Sequence, residues 1–389
     1  MVQKKGGGRQ LGAGEAGFHY TRNLIRIPVH APSRSYDVVV KPGLVRSASP
    51  TLRDLIPPHG KLFLLSSAPI LGHWGDAFRQ GLAAADRQLT MLEMPDGEIA
   101  KKLTAIEKLA RKMVASGADR GSVILALGGG VVGDVGGFLA SVFMRGIPLV
   151  QVPTTLVAQV DSAIGGKTGV NLPAGKNLIG TFYQPLAVLA DPEVLVTLAE
   201  REYRSGLFEA MKYGVIRNPD IFHLMESQGK GLLGRDSGLL ETLIVECIKV
   251  KAAVVGADER EAGERRILNF GHTIGHALES ATGYRTFLHG EAVGWGMVAA
   301  AMIGRQMNLT DPTTAEKIIS LVLWYGPLPK VNVNGERVLR LLQSDKKTMG
   351  GVPHFILSTA MGRVKVVSDV PPELVIEAVE ELRRISRAQ

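Results

Sequence analysis

Ser122-Val-Ile-Leu-Ala-Leu127, followed at once by Gly128-Gly-Gly-Val-Val-Gly-Asp134, is a short apolar run closed by glycines. A run of that length without polar alternation fits a strand covered on both faces, the condition of a parallel sheet. Glycines placed directly after such a strand let the chain turn into a helix whose first backbone N–H groups are free, which suits a pyrophosphate. The glycine order is not G-x-G-x-x-G, so the turn by itself serves close packing as well as it serves phosphate. A helix of small residues and the strand Leu149-Val-Gln-Val152 come next. Upstream, Asp37-Val-Val-Val40 and Lys61-Leu-Phe-Leu-Leu65 read as buried strands, and residues 100–116 have helical periodicity. Strand alternating with helix predicts an α/β unit with a parallel sheet over residues 35–190.

After Gln184-Pro185 and Asp191-Pro192 the texture changes. Residues 201–216, 238–255, 267–281 and 291–306 are long amphipathic segments, so residues 191–389 are expected to form a mostly helical second unit, with a hairpin from Phe355-Ile-Leu357 and Val364-Lys-Val366. Residues 1–34 read as a flexible, glycine-rich extension that carries Lys4, Lys5, Arg9, Arg22, Arg26 and Arg34 against Glu15, hence +5 of the formal +8. The remainder is only mildly basic and shows no basic stripe or aromatic platform, which argues against nucleic acid and suits a small anionic substrate. One cysteine, Cys247, excludes a disulfide framework and a cysteine-built zinc cluster and points to the cytoplasm. The most hydrophobic stretch, residues 123–144, is interrupted by Asp134 and six glycines, so no membrane span is expected.

Several chemistry-bearing groups fall at informative spacings. Asp96-Gly-Glu98 with Lys101, and Pro153-Thr-Thr155, sit where strands should end and so at the carboxyl edge of the sheet. The stretch from Asp161 to Asn177, expected as a loop, holds Lys167 and Lys176 among four glycines; its Gly-Lys-Thr triplet lacks the glycine spacing of a P-loop. Glu209 and Lys212 share a helical face, and as an isolated pair they read as a solvent-facing ion pair; Lys251, Asp258-Glu-Arg-Glu261 and Arg265 likewise read as a solvated helix end. His272 and His276 lie at i and i+4, as in half of an H-E-x-x-H zinc site, with Thr273 where the glutamate should stand. Spacing therefore nominates His272 and His276 as metal ligands with His289 or a carboxylate as third, against ordinary packing of the pair.

Taken in order, Asp-Gly-Glu-x-x-Lys (96–101), Gly-Gly-Gly-Val-Val-Gly-Asp (128–134), Phe-Met-Arg-Gly (143–146), Pro-Thr-Thr-Leu (153–156), Asp-Ser-x-x-Gly-Gly-Lys-Thr-Gly-Val-Asn (161–171), Gly-Lys-Asn (175–177), Glu-x-x-Lys-Tyr-Gly (209–214), Asn-Phe-Gly-His-Thr-x-Gly-His-Ala (269–277), His-Gly-Glu-Ala-Val (289–293) and Asp-Lys-Lys (345–347) resemble the 3-dehydroquinate synthase family of sugar-phosphate cyclases. The resemblance runs from about Tyr36 to the C-terminus. It implies a Rossmann-like NAD-binding unit followed by a helical metal- and substrate-binding unit, a fold shared with metal-dependent polyol dehydrogenases. It implies NAD held by Glu98, Lys101, Gly129, Gly130, Asp134, Thr154, Thr155 and Asp161, with Lys167, Thr168 and Lys176 nearby, and one divalent ion, zinc or cobalt, on Glu209, His272 and His289. The substrate, 3-deoxy-D-arabino-heptulosonate 7-phosphate, would be met by Lys167, Asn177, Lys212, Lys251, Arg265, Asn269, His276, Lys346 and Lys347, with Arg145 reaching in from the second subunit of a homodimer. His276 would relay a proton. The chain departs from the family after the strand ending at Leu65, where Ser66-Ser67 replace the usual acid that holds the adenosine ribose. The alternatives left by the resemblance are another sugar-phosphate cyclase and a polyol dehydrogenase of the same fold.

Overall fold

Leu62, Leu64, Val123, Leu125 and Leu127 pack on one side of a central sheet, and Phe63, Leu65, Ile124 and Ala126 on the other. The two apolar runs are thus covered on both faces, as their composition requires. The computed structural model describes residues 24–53, 55–82, 89–173, 175–344 and 353–388. Its strands are β1 (Ile25–Ala31), β2 (Arg34–Val40), β3 (Leu62–Ser67), β4 (Leu89–Met94), β5 (Val123–Gly128), β6 (Leu149–Pro153), β7 (Lys167–Leu172), β8 (Gly175–Phe182), β9 (Ala187–Ala190), β10 (Phe355–Ala360) and β11 (Arg363–Val367). Seven of them form one sheet in the order β1-β2-β9-β6-β5-β3-β4, parallel throughout except for β1 against β2. The chain runs outward from β3 to β4, returns to the far side of β3 as β5, and continues through β6 to β9. Its direction reverses between β3 and β5, so their carboxyl ends flank the crevice where such sheets take ligands. Helices Leu103–Ala115 and Gly130–Val142 cover one face, and Ser49–Arg53 and Asp76–Leu82 the other.

From residue 200 onward helices dominate: Glu200–Ile216, Ser237–Ala257, His272–Ala281 and His289–Gln306 share one core, on which the β10–β11 hairpin lies. The α/β fold with a helical C-terminal part is as expected. Among the described residues no helix is long and apolar enough to cross a membrane.

Three local expectations change. Of the flexible extension expected over residues 1–34, residues 1–23 lie outside the described residues and residues 25–31 are instead β1, paired with β2 at the edge of the sheet; Ile27, Val29 and Ala31 alternate with exposed neighbours and face the core. The stretch expected as a loop at 161–177 is largely the β7–β8 hairpin, pinned where Thr168 Oγ1 donates to the Thr181 carbonyl at 3.0 Å. The helix expected from residue 267 begins at His272, since Gly271 at φ +79° is left-handed and separates it from the turn Glu264–Asn269.

Candidate active site

Close helix packing brings three polar side chains to one point. Gly290 sits so near Ser205 that a Cβ would come within 1.9 Å of the Ser205 carbonyl oxygen, and Gly296 meets the Gly271 carbonyl in the same way. Helix His289–Gln306 therefore lies directly on helices Glu200–Ile216 and His272–Ala281, and His289, Glu209 and His272 converge. His289 Nε2 is 3.3 Å and His272 Nε2 is 3.6 Å from Glu209 Oε1. One ring nitrogen from each of His272, His276 and His289 also lies within 4.8 Å of the others, so the histidine trio meets as well.

The protonation pattern separates these sets. His272 Nδ1 lies 3.1 Å from the Phe270 carbonyl, which only accepts, so Nδ1 carries the hydrogen and Nε2 a lone pair. Burial, followed by the charge of Lys212, holds the His272 pKa well below its usual value, and the ring is neutral. Glu209 is fully buried and remains ionised: burial alone would raise its pKa, but the Lys212 charge and the contact with His289 hold it down to about 2. Glu209 Oε2 is paired with the Lys212 ammonium at 2.6 Å, whereas Oε1, the oxygen that faces both histidine nitrogens, has no well-formed hydrogen bond among the described residues. A lone pair facing a buried carboxylate oxygen is unfavourable unless a cation lies between them. His289 Nε2 answers with a proton: burial would lower its pKa, yet its contacts with Glu209 and Glu279 push it up to about 10. A divalent cation competes for that same point. Glu209, His272 and His289 thus fit a metal ion by their donor chemistry.

Beside this point the expected solvent-facing pair is entirely buried, a correction with a clear cause. Lys212 Nζ lies 2.6 Å from Glu209 Oε2 and 2.9 Å from Asp161 Oδ2, and Lys251 Nζ binds Asp161 Oδ1. Two carboxylates and two ammonium groups neutralise one another, which makes their burial tolerable. Asp161 is aimed there by its turn, Ala158–Ser162: Gln159 Nε2 donates to the Asp191 carbonyl at 2.8 Å, and Tyr213 Oη to the Val160 carbonyl at 3.0 Å. Asp161, expected on the cofactor, contacts Lys212 and Lys251, which are expected on the substrate.

The supposed solvated helix end is also largely buried. Arg265 is 1% exposed and donates to the carbonyls of Glu259 and Gly165, while its Nε is buried with no partner among the described residues. Glu259 accepts from Ser33 and Gln184, and Glu261 from Lys167 and from Asn269 Nδ2 at 2.7 Å. These acids bind a loop from elsewhere in the chain, which local charge patterning does not reveal.

At the sheet edge, Lys101 Nζ is 2.6 Å from Asp134 Oδ2 and donates to Asn177 Oδ1, and Glu98 Oε1 accepts from Asn171 Nδ2 at 2.8 Å. Burial raises the Asp134 pKa despite Lys101. Gly129 caps helix Gly130–Val142; a Cβ there would meet Thr155 Cγ2 at 2.8 Å, so glycine is what lets Thr155 pack against this turn. The Thr154 N–H donates to the Gly128 carbonyl at 2.9 Å and Thr155 Oγ1 accepts from the Ala158 N–H at 3.2 Å, joining the two strand ends. Thr168 is engaged within its hairpin, and Lys176 Nζ lies 3.5 Å from Glu279 Oε1. Ser67 donates to Asp96 Oδ1 at 2.8 Å, so a neighbouring strand end supplies a carboxylate where Ser66-Ser67 lack one. Arg145 is exposed beyond helix Gly130–Val142, and Lys346 and Lys347 lie outside the described residues. Glu279, Glu259 and Glu261 were not anticipated as site residues; Glu279, seven positions after His272 on one helical face, was within reach of a periodicity argument.

Residues 91–205 match the family described as 3-dehydroquinate synthase N-terminal, and residues 206–348 the family described as 3-dehydroquinate synthase C-terminal. The chain is 56% identical over 361 residues to a 3-dehydroquinate synthase of Koribacter versatilis, covering 93% of this chain and 99% of that protein. It is similar in structure to the 2-epi-5-epi-valiolone synthase ValA of Streptomyces hygroscopicus subsp. jinggangensis, solved with NAD+ and Zn2+ bound, at a TM-score of 0.82 and 29% identity over 90% of this chain and 98% of that one. A 2-deoxy-scyllo-inosose synthase complexed with carbaglucose-6-phosphate, NAD+ and Co2+ gives a TM-score of 0.79 at 27% identity over 92% and 99% of the two chains.

Proposed function

The chain belongs to the 3-dehydroquinate synthase family, and on that premise we propose how its residues divide the reaction. The enzyme converts 3-deoxy-D-arabino-heptulosonate 7-phosphate to 3-dehydroquinate and phosphate, a carbon–oxygen lyase step of the shikimate pathway. NAD, when bound, takes up and returns one hydride while a divalent ion, zinc or cobalt as in the two cyclase structures, acidifies the hydroxyls beside it.

The NAD-binding unit is residues 35–190 with β1 added, and the metal- and substrate-binding unit is residues 191–389. Glu98, Lys101, Gly129, Gly130, Asp134, Thr154 and Thr155 line the cofactor crevice, with Lys176, Thr168 and Lys167 at its inner wall. Glu209, His272 and His289 hold the metal, and three protein ligands leave room for substrate oxygens. The observation that carries this reading is the buried Glu209 carboxylate whose Oε1 is faced by both His272 Nε2 and His289 Nε2, while Lys212 occupies Oε2. His276, beside these ligands, is assigned in this reading to pass a proton at the substrate hydroxyl. Lys212, Lys251, Arg265, Lys167, Asn177 and Asn269 bind the carboxylate, phosphate and hydroxyls of the substrate, with Lys346 and Lys347 closing the anionic end. The buried Arg265 Nε, without a partner among the described residues, supports an anion there.

The protein is a cytoplasmic homodimer in this reading. Val142 at 46% and Met144 at 38% exposure flank Arg145 as an apolar surface for a second copy, from which Arg145 of the partner subunit enters the site. The test is phosphate release from the heptulosonate phosphate with NAD and Zn2+. Release only from another sugar phosphate would assign a different cyclase, and NADH accumulating with glycerol would assign a dehydrogenase.

A further inference from the structure

Glu279 stands outside every role assigned so far, yet it is 5% exposed at its side chain and charged. It lies about two turns beyond His272 on the same helix. Its two oxygens serve different partners: Oε2 is 3.2 Å from His289 Nδ1, and Oε1 is 3.5 Å from Lys176 Nζ. Lys176 in turn sits 4.3 Å above the Tyr284 ring, which holds the ammonium at that place. A carboxylate only accepts hydrogen bonds, so whatever faces it from His289 carries a hydrogen. With Nδ1 held to Glu279, Nε2, the atom 3.3 Å from Glu209 Oε1, is the nitrogen that exchanges its proton for a metal ion.

We propose that Glu279 is the positioning residue of the metal centre: it fixes the ring and tautomer of His289 from behind, and Lys176 of the β7–β8 hairpin holds it in place. The inference rests on the metal reading of Glu209, His272 and His289. A glutamine at this position is nearly the same size but has an amide that turns its NH2 toward Nδ1. Nδ1 then accepts, the ring hydrogen moves to Nε2, and the ligand atom is blocked. An alanine removes the contact altogether.

The test uses the full-length protein stripped of metal and titrated with Zn2+ against a chromogenic chelator at fixed pH, with melting temperature measured alongside. Wild type is expected to bind one Zn2+ per chain. Glu279→Gln and Glu279→Ala are expected to bind it about 10–100-fold more weakly, the glutamine variant with an unchanged melting temperature. Should the alanine variant fail to fold, the glutamine variant alone decides. Zn2+ affinity of Glu279→Gln within twofold of wild type overturns the inference and leaves the metal reading standing. Failure of wild type to bind Zn2+ overturns the metal reading, and the inference with it.

Discussion

The glycine turn after β5 and the polar cluster around Glu209 differ in what they are made of and therefore in how they fail. At the turn, Gly128 to Gly130 offer backbone, with Val132, Thr155 and Ser162 packed where their side chains would stand, and the glycines themselves are neighbours in sequence. At the cluster, Glu209, Lys212, Asp161 and Lys251 come from three separate elements and are all buried or nearly so. A backbone site is disturbed by adding atoms. A site of buried charges is disturbed by removing one, because every remaining charge was tolerated only through its partner.

The sharpest break of the contrast is Glu209→Gln. It removes the charge without changing the shape, and turnover is expected to fall by about 10⁴-fold or more, the several kcal/mol a metal-stabilised step is worth. Metal analysis of the purified variant should show less than stoichiometric zinc with NAD affinity unchanged; a full complement of zinc would move the metal onto His272, His276 and His289. Next in size is His276→Ala, expected to keep its zinc and lose about 10²–10³ in kcat, the range of a positioned acid or base. Zinc lost from that variant in proportion to activity would place His276 among the ligands.

How much of this was legible follows the same division. The central strands were, since an apolar run covered on both faces leaves its mark in consecutive residues such as Val123 to Leu127. β1 was missed because Arg26, His30 and Arg34 gave it a basic, extension-like look, although Ile27, Val29 and Ala31 keep the period of a one-sided strand. In the site, the histidine spacing found His272, His276 and His289, which the structure does bring together. Spacing alone had no access to Glu209, on a helix far back in the chain, nor to the burial of Lys212, Lys251 and Arg265. Each of those reads as an exposed charge until its partner is known, and Asp161 and the Gly165 carbonyl come from the sheet-side half. The order of motifs carried what local physics did not.

A smaller effect tests the backbone site. Gly129→Ala places a Cβ where Thr155 Cγ2 stands 2.8 Å away, at a φ of −74° that alanine accepts, so the penalty is purely steric. NAD dissociation constants are expected to rise about tenfold, from the roughly 1–3 kcal/mol of local overpacking, with zinc content unchanged. Adding Thr155→Ser removes the clashing methyl, and fluorescence titration of the double variant should recover most of the affinity. No recovery would mean that Gly129 is needed for contact with the cofactor itself.

The smallest expected change is a matter of pH and isolates one charge of the cluster. Lys251 is surrounded by Asp161 from the Ala158–Ser162 turn, Lys212 from the Glu209 helix and Arg265 from the following turn; burial, then the two like charges, outweigh Asp161 and lower its pKa to about 8. A lowered pKa means that the ammonium form is nearly complete about one unit below that value, half present at it, and lost as pH rises through it. The kcat/KM for an anionic substrate reports the free enzyme, so it should be flat well below about pH 8 and fall about tenfold per unit well above it. Lys251→Arg keeps its charge at every accessible pH and should lose that alkaline limb, even if its kcat/KM is lower throughout. Asp161→Asn removes the one opposite charge in contact with Lys251, and the limb should then move to lower pH. An alkaline limb at the same pH in all three proteins would assign it to a group outside this cluster, and the buried charges would then set affinity without setting its pH dependence.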